Sequence, residues 1–254
     1  MRVTEHSPGH FCWAELTTSD STSAKAFYGD ILGWTFIDTP IGPDDVYTTC
    51  QYNGQTTAGL YEDKSGARPT AWASYICVVD ADATVAAMRD AGATILSDAF
   101  DVMELGRMAV AADPAGAVFC LWQPKAHIGF DIQDESGSCC WFELNTGDTE
   151  KAGAFYQQVF GYTVKRSTAP MEYSEFQQDG VSLAGMLQMT PEMEGIPPHW
   201  LVYFAVNDCA VAVEKAKAHG SVVLYGPMTI PGVGDIACLT DLQGAPIGLI
   251  GPTK

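Results

Sequence analysis

Two glutamates are the residues best placed to carry out chemistry. Glu15 stands in the stretch W-A-E-L and Glu143 in W-F-E-L, so each follows a tryptophan, Trp13 or Trp141, by two positions. Successive side chains of a β-strand point to opposite faces, so residues two apart share a face. A carboxylate beside an indole on an apolar face loses hydration, which raises its pKa and suits it to act as a general base. We therefore predict Glu15 and Glu143 as candidate catalytic residues.

The two tryptophans have two interpretations each. Trp13 and Trp141 either form the flat wall of a ligand pocket or fill that space as core aromatics, and the sequence leaves both open. Each glutamate is likewise either functional or structural, because a polar partner can stabilise a buried carboxylate that has no functional role.

Further side chains are predicted to face the same pockets from neighbouring strands. By strand alternation they are Tyr75, Cys77, Cys120, Trp122 and Tyr203. Arg107 joins these ligand-binding candidates as the one basic residue within a predicted strand, and it binds either an anionic ligand group or a carboxylate of the pocket. Cys120 is either a nucleophile or an inert core thiol, and no histidine lies near it in the sequence.

The stretch that holds the first glutamate occurs twice. W-A-E-L-T-T-S-D from Trp13 returns as W-F-E-L-N-T-G-D from Trp141, an offset of 128 (141 − 13). The following A-K-A-F-Y-G-D-I-L-G-W returns at the same offset as A-G-A-F-Y-Q-Q-V-F-G-Y. Self-similarity at a fixed period indicates repeated structural units. The chain is therefore predicted to be a tandem duplication, with domains at residues 1–127 and 128–254 and a short, packed join.

Each half repeats one order of secondary structure twice. Residues 11–17 read as a strand, and Asp20 then precedes apolar side chains at the i, i+3, i+4, i+7 spacing of a helix packed on one face. Gly33 is a typical helix stop, and three short strands follow it. The same order resumes with a strand at 71–79 and a helix from Asp80. The sequence thus predicts an α+β protein of four strand–helix–three-strand (βαβββ) units.

Charge and composition limit the partners of this chain. Its 254 residues include 31 Asp plus Glu against 13 Lys plus Arg, a formal charge of −18. This charge repels phosphate backbones and anionic membranes, so we expect a small-molecule ligand, no nucleic acid and no membrane partner. The same charge either favours a cationic ligand or simply keeps the surface soluble.

The sequence also gives expectations for the location and the assembly of the protein. No apolar segment near the N-terminus resembles a signal peptide and no run approaches membrane-spanning length, so we expect a cytoplasmic protein. The eight cysteines lack C-x-x-C or zinc spacing and are interpreted as buried thiols. The duplication predicts either a monomer with two internally paired domains or a homodimer.

The paired βαβββ units resemble the vicinal oxygen chelate superfamily, which includes glyoxalase I, bleomycin-resistance proteins and extradiol dioxygenases. The motifs that carry the resemblance are Asp20 with A-F-Y and L-G-W, Asp148 with A-F-Y and G-Y, and the turn D-P-A-G from Asp113. The W-x-E-L repeats, with G-R-M from Gly106, are most similar to two-domain actinobacterial glyoxalase-like proteins. The resemblance implies tandem glyoxalase-like domains, each a U-shaped mixed β-sheet around a pocket, or cup.

The resemblance also implies a divalent metal held by His and Glu side chains on inward strand positions. Here the corresponding positions carry other residue types, namely Trp13, Trp141, Ala73, Leu201, Cys120 and Gly248. His199 lies two positions before the slot at Leu201, and the other histidines are scattered. We therefore predict no metal ligands and no cofactor.

Two functions are consistent with this pattern. The first is binding of a small, partly apolar or aromatic molecule in the cups without the usual metal, as in a bleomycin-resistance protein. The alternative is an enzyme of lyase, isomerase or dioxygenase type acting on a small carbonyl or vicinal-oxygen compound, with Glu15 or Glu143 as base. A metalloenzyme with unusual ligands, or a half reduced to a scaffold, stays open. Arg107 corresponds to Asp235, so the two cups are predicted to differ.

Overall fold

The computed structural model describes residues 2–168 and 172–253, and each half of the chain forms one eight-stranded sheet with two helices. The first half contains β1 (Phe11–Thr18), α1 (Ser21–Leu32), β2 (Thr35–Pro40), β3 (Val46–Tyr52), β4 (Gln55–Glu62), β5 (Ala71–Cys77), α2 (Ala81–Asp90), β6 (Thr94–Val102), β7 (Gly106–Ala112) and β8 (Val118–Pro124). The second half contains β9 (Cys139–Thr146), α3 (Thr149–Phe160), β10 (Thr163–Ser167), β11 (Tyr173–Gln178), β12 (Val181–Gln188), β13 (His199–Ala205), α4 (Cys209–His219), β14 (Val223–Ile230), β15 (Gly234–Thr240) and β16 (Pro246–Gly251). A 3-10 turn at Pro191–Met193 precedes β13.

The two sheets share one strand order. It runs β2-β3-β4-β1-β5-β8-β7-β6 in the first sheet and β10-β11-β12-β9-β13-β16-β15-β14 in the second. β1 pairs in parallel with β4 and antiparallel with β5, and β9 pairs likewise with β12 and β13. The W-x-E-L motifs on β1 and β9 therefore lie in the middle of their sheets. The predicted α+β fold of mixed sheets built from βαβββ units is confirmed.

The helices begin and end at the predicted signals. The Asp20 side chain accepts a hydrogen bond from the Ser23 backbone N–H at 2.9 Å, and α1 ends at Gly33 with a φ of 73°. Such a left-handed backbone favours glycine because a Cβ would be strained there. Strand β6 pairs with β7 as far as Val102, with two register shifts along the way. None of the helices in the described part of the chain is long and apolar enough to cross a bilayer.

The helix-covered faces of the two sheets pack against each other. Phe11 on β1 stacks on Phe142 on β9 with ring centroids 4.2 Å apart. Phe119 on β8 contacts Tyr156 on α3 at 5.6 Å, so a helix of the second half packs beneath the first sheet. The buried side chains of both halves form one continuous hydrophobic core. The opposite, helix-free faces carry Glu15 and Glu143, and we call them the first cup and the second cup.

Two buried tyrosine–aspartate hydrogen bonds join the halves. Tyr28 on α1 donates to Asp241 at 3.0 Å, and its hydroxyl accepts from Trp72 Nε1 at 3.0 Å. In the reciprocal position Tyr156 donates to Asp113 at 3.3 Å. Each aspartate begins the D-x-x-G turn of its own half and also accepts backbone N–H groups of that turn. The turns predicted from the sequence therefore also hold the two halves together.

Removing either tyrosine hydroxyl is expected to weaken this junction. Tyr28→Phe and Tyr156→Phe should each lower the free energy of unfolding by about 1.5–3 kcal/mol, because each loses a hydrogen bond to a buried carboxyl group. Urea unfolding followed by circular dichroism measures the effect. Tyr52→Phe is the matched control, since its hydroxyl bonds no residue that the structure describes, and it should change stability little. Equal effects of all three substitutions would contradict this role.

Candidate functional site

The first cup is centred on the carboxylate of Glu15. Tyr47 on β3 donates to Glu15 Oε2 at 2.8 Å, and Tyr75 on β5 donates to Oε1 at 3.2 Å. Trp13 Nε1 donates to the Tyr47 hydroxyl at 3.2 Å. Three strands thus contribute to one chain of hydrogen bonds that ends on a single carboxylate.

The second cup repeats the same arrangement around Glu143. Tyr173 on β11 donates to Glu143 Oε2 at 2.8 Å, and Tyr203 on β13 donates to Oε1 at 3.1 Å. Trp141 Nε1 donates to the Tyr173 hydroxyl at 3.0 Å. The second cup extends the chain by one residue, because Tyr203 and Tyr225 share a hydrogen bond with their oxygens 2.6 Å apart.

A glycine beside each glutamate makes the network sterically possible. Glu15 pairs in register with Gly59 on β4, and Glu143 pairs with Gly185 on β12. A Cβ at Gly59 would overlap the Tyr47 hydroxyl, and one at Gly185 would overlap the Tyr173 hydroxyl. The tyrosine of the next strand therefore reaches the carboxylate only by crossing a residue without a side chain.

Burial determines the protonation of these groups. It raises the pKa of Glu15, an effect that the hydrogen bonds from Tyr47 and Tyr75 and the charge of Arg68 oppose. It raises the pKa of Glu143 as well, again against the tyrosine hydrogen bonds. Burial also raises the pKa of Tyr47 and Tyr75 well above the ordinary range, so the phenols stay neutral donors at physiological pH. Carboxyl groups with raised pKa values suit proton transfer near neutral pH.

The first cup is covered by the linker between the two halves, residues 125–138. The His127 ring lies 4.6 Å from the Trp13 ring and perpendicular to it, and 5.7 Å from the Trp122 ring. Trp122 Nε1 donates to the His127 carbonyl at 2.8 Å, and Phe130 contacts Trp13 from another side at 5.6 Å. Trp13 is consequently only 4% exposed. In the first cup the tryptophan fills the space.

The second cup is more accessible than the first. Trp141 is half-buried and packs beside the cluster of Leu201, Tyr203 and Cys238, and among the described residues no ring covers it as His127 covers Trp13. The side chains of Tyr225 and Met228 on β14 are 38% and 52% exposed. One wall of this cup is a row of residues that are neighbours across adjacent strands, in the order Trp141, Tyr203, Gly248, Cys238 and Tyr225. Here Trp141 is a wall that a ligand can reach, while Glu143 beneath it is only 8% exposed.

Most of the predicted site residues lie on the cup faces. Trp13, Glu15, Tyr75, Cys120 and Trp122 meet in the first cup, and Trp141, Glu143 and Tyr203 meet in the second. Cys77 is 2% exposed and its thiol donates to the His6 carbonyl at 3.5 Å, so the N-terminal segment covers it. Burial raises the pKa of Cys120 to about 12, which agrees with an inert core thiol rather than a nucleophile.

Arg107 lies outside the cup, which corrects its predicted position. Its guanidinium donates to both carboxylate oxygens of Asp82 on α2 at 2.8 and 2.9 Å and pairs with Asp101 at 3.4 Å. The neighbouring Met108 pairs in register with Trp122 and so takes the cup face of β7. Because side chains alternate, Arg107 points to the helix side, where two carboxylates neutralise it.

Sequence reasoning predicted two of the four tyrosines that bind the glutamates, Tyr75 and Tyr203, and missed the other two. Tyr47 and Tyr173 are 126 residues apart (173 − 47), whereas the helices and the W-x-E-L motifs repeat at 128, so a search at the fixed offset passes over them. Gly59 and Gly185 show the same offset of 126. A repeat search that allowed two-residue gaps in loops would have aligned both pairs. His127 gave no signal, because its role depends on a contact with a distant strand.

The side chains of the cups do not fit the divalent metal that the fold family implies. The acidic or thiol donors are Glu15 and Cys120 in the first cup and Glu143, Cys238 and, on the rim, Glu175 in the second. The one imidazole on a central strand, that of His199 at the start of β13, bonds the Pro197 carbonyl at 2.9 Å. Among residues 2–168 and 172–253, no three His, Cys, Asp or Glu side chains lie together in a way that could hold a metal ion. Family metal sites need at least three such ligands.

Two surface cavities lie away from both cups. One of about 270 Å³ is lined by residues of α3 and β10, including the ion pair of Glu150 and Arg166. The other, of about 260 Å³, lies between the end of α1 and the start of α4. Two of its charged residues, Asp30 and Lys215, pair with each other at 3.0 Å, and the third, Asp208, caps α4. The ionic groups of both cavities already have partners. Neither cavity therefore combines a buried carboxyl group with an accessible wall, as the second cup does.

Comparison with known proteins identifies relatives over the whole chain. The family model "Glyoxalase-like domain" matches residues 13–122, and "Glyoxalase/Bleomycin resistance protein/Dioxygenase superfamily" matches residues 140–247. The chain is 38% identical to "Putative glyoxylase CFP32" of Mycobacterium tuberculosis, over 98% of this chain and 97% of that protein. It is 30% identical to "Anthracycline biosynthesis protein DnrV" of Streptomyces peucetius, over 98% and 95%.

Solved structures share the fold at low sequence identity. The 2,3-dioxygenase LapB from Pseudomonas sp. KL28 aligns with a TM-score of 0.67 and 16% identity, over 97% of this chain and 94% of that one. The Mn(II)-bound glyoxalase from Novosphingobium aromaticivorans aligns with a TM-score of 0.68 and 13% identity, over 97% and 83%. At this identity the likeness shows the fold alone.

The glycine beside Glu143 offers a test of the network. Gly185→Ala should lower the free energy of unfolding by about 1–3 kcal/mol, because the new Cβ displaces the Tyr173 hydroxyl from the carboxylate. Gly147→Ala in the same half is the control, since a Cβ there meets no atom within 4 Å. Urea unfolding of both variants measures the difference. Unchanged stability of Gly185→Ala would show that the tyrosine does not depend on this approach.

The raised pKa of Glu143 fixes the sign of a pH dependence. The folded-state pKa exceeds that of the unfolded chain, about 4.3, so the stabilising contribution of the protonated carboxyl is complete below that pH and lost as the pH rises through the folded pKa. Glu143→Gln keeps the neutral shape and should flatten the fall in unfolding free energy that the wild type shows as the pH rises above about 4.3. It should be at least as stable as the wild type at neutral pH.

Urea titrations across this range provide the measurement. Glu194→Gln, at an exposed position, should leave the pH slope of the wild type unchanged. A Glu143→Gln variant that is clearly less stable than the wild type at neutral pH would mean that the charged carboxylate is a structural requirement.

Proposed function

Because the chain belongs to the glyoxalase/bleomycin resistance protein/dioxygenase superfamily, we propose that its second cup binds a small, partly aromatic molecule. One observation carries the proposal. The same buried glutamate network occurs in both cups, yet only in the second is the adjoining tryptophan, Trp141, left accessible. Small-molecule sites typically combine apolar and aromatic walls with a few converging polar groups, and this cup has both.

The proposed ligand lies against the side chains that the cup exposes. Trp141 and Met228 supply apolar surface, and the Tyr225 hydroxyl is the outer end of the hydrogen-bond chain that leads to Glu143. A flat molecule packed on the indole would place a polar group at Tyr225 or at the carboxylate. The aromatic walls supply area and the network supplies orientation.

Relatives and donor types support a small organic ligand. One relative is named a putative glyoxylase and another an anthracycline biosynthesis protein, and both names concern small organic molecules. The cups present Glu and Cys where the family's metal needs a larger set of His and Glu ligands. These donors support binding that does not depend on a metal.

A catalytic alternative uses the same residues. Glu143 combines a burial-raised pKa with a hydrogen-bonded path through Tyr203 to the exposed Tyr225. A base in this position takes a proton from the carbon next to a ligand carbonyl, leaving an enolate. In an isomerisation it returns the proton to the neighbouring carbon; in a lyase step the enolate expels a group from the β-carbon, and that leaving group takes the proton. The path to Tyr225 would let the proton exchange with solvent.

Matched substitutions of the two glutamates test the proposal. A thermal-shift screen of neutral and charged monocyclic and bicyclic aromatic compounds, followed by calorimetry, should find ligands at a stoichiometry of one. Glu143→Gln should weaken their binding about 10-fold or more, through the loss of a hydrogen bond to a charged group, whereas Glu15→Gln should change it little. Mass spectrometry of the recovered compound distinguishes binding from turnover.

The linker supplies a further control. His127→Ala removes the ring that covers Trp13, so the first cup should open and the stoichiometry should rise towards two. Failure of every compound to bind the wild type, or equal losses in Glu15→Gln and Glu143→Gln, would contradict the assignment of the second cup.

A further inference from the structure

Among the residues that the structure describes, the carboxylate of the second cup has no cationic partner. Glu143 is 8% exposed and accepts hydrogen bonds from the neutral hydroxyls of Tyr173 and Tyr203. Within residues 2–168 and 172–253, no Lys, Arg or His nitrogen lies in salt-bridge distance of it. A buried carboxylate without a counter-charge is costly to keep ionised, and a cation brought into contact with it removes that cost.

Aromatic side chains surround this carboxylate. The hydroxyls of Tyr173 and Tyr203 contact it directly, and the indole N–H of Trp141 and the hydroxyl of Tyr225 contact those two phenols. All four rings are uncharged and electron-rich, and the faces of such rings attract organic cations. A cation in this cup would therefore be attracted both by the charge of the carboxylate and by the faces of the aromatic rings.

The rim of the second cup adds a second carboxylate. Glu175 on β11 pairs in register with Gly185, which pairs with Glu143, so the three residues share one face of the sheet. The nearest cation is Lys165, whose nitrogen is 3.6 Å from Glu175 and whose side chain is 59% exposed. Two carboxylates against one solvent-exposed lysine leave this face negative.

The first cup differs in charge as well as in access. Arg68 lies over the Tyr61 ring at 5.8 Å, and its positive charge opposes the burial-induced rise in the pKa of Glu15. Tyr61 pairs with Thr17, and the corresponding pair of the second sheet is Leu187 with Asn145. The arginine and the ring beneath it thus have no counterpart at that position of the second cup.

From these observations we infer that the second cup selects ligands carrying an ammonium group on an aromatic body. The inference rests on the proposed function, and it names the ligand class. The aromatic body packs on Trp141, and the ammonium group lies against Glu143, where it supplies the missing counter-charge. Because the cation stabilises the ionised carboxylate, binding releases a proton from molecules in which Glu143 was protonated.

Two matched series of probes test this inference on the full chain. They are benzylamine, benzyl alcohol and benzoate, and 2-naphthylmethylamine, 2-naphthalenemethanol and 2-naphthoate. Calorimetry at neutral pH and about 150 mM salt, where long-range attraction is screened, should show the amine binding at least about 10-fold tighter than the alcohol. The carboxylate should bind most weakly in each series.

Three variants separate the cup from the general acidity of the protein. Glu143→Gln should make the amine and the alcohol bind equally, whereas Glu15→Gln and Glu194→Gln should keep the preference although each removes the same charge. An amine that binds the wild type no tighter than its alcohol would overturn the inference and leave the proposed function standing. If no member of either series binds, both fail. A preference that survives in Glu143→Gln would also overturn the inference.

Discussion

Two reciprocal hydrogen bonds, Tyr28 to Asp241 and Tyr156 to Asp113, hold the two halves together with the helix-covered faces of their sheets inside. Each tyrosine stands on a helix of one half, and each aspartate organises a turn of the other. A buried hydrogen bond of this kind tolerates little displacement, since loss of one partner leaves the other unsatisfied. The helix-covered faces are therefore committed to one shared core. Chemistry can occur only on the opposite faces, and both cups lie there.

The duplication places one glutamate network in two different surroundings. Both cups hold the same carboxylate, two phenols and an indole in the same hydrogen-bonded order. In the first cup His127 and Phe130 close over the indole, so the network acts as part of a packed interior. In the second the indole is uncovered. The linker closes the first cup and leaves the second open, so the two networks differ in whether a molecule from solvent can reach them.

The sequence predicted what depends on local periodicity. The offset of 128 located both W-x-E-L strands, the caps located the helices, and alternation placed Trp13 and Glu15 on one face. It failed where position depends on pairing between strands. Arg107 and Met108 are neighbours, and only the pairing of Met108 with Trp122 shows which one faces the cup. Tyr47 and Tyr173 were missed because loops of unequal length shift their offset by two.

The charge of the protein likewise has two aspects, the total charge of the chain and the charges that lie next to each cup. The formal charge of −18 describes the whole surface and does not distinguish one cup from the other. The distinction comes from neighbours, because Glu15 lies within the influence of Arg68, whereas Glu143 has neutral phenols around it and Glu175 on the same face. Electrostatic attraction strengthens as the dielectric falls, so one uncompensated carboxylate inside a cup weighs more on ligand choice than many hydrated ones outside. The proposed selection for ligand charge therefore rests on the surroundings of Glu143 and not on the acidity of the whole protein.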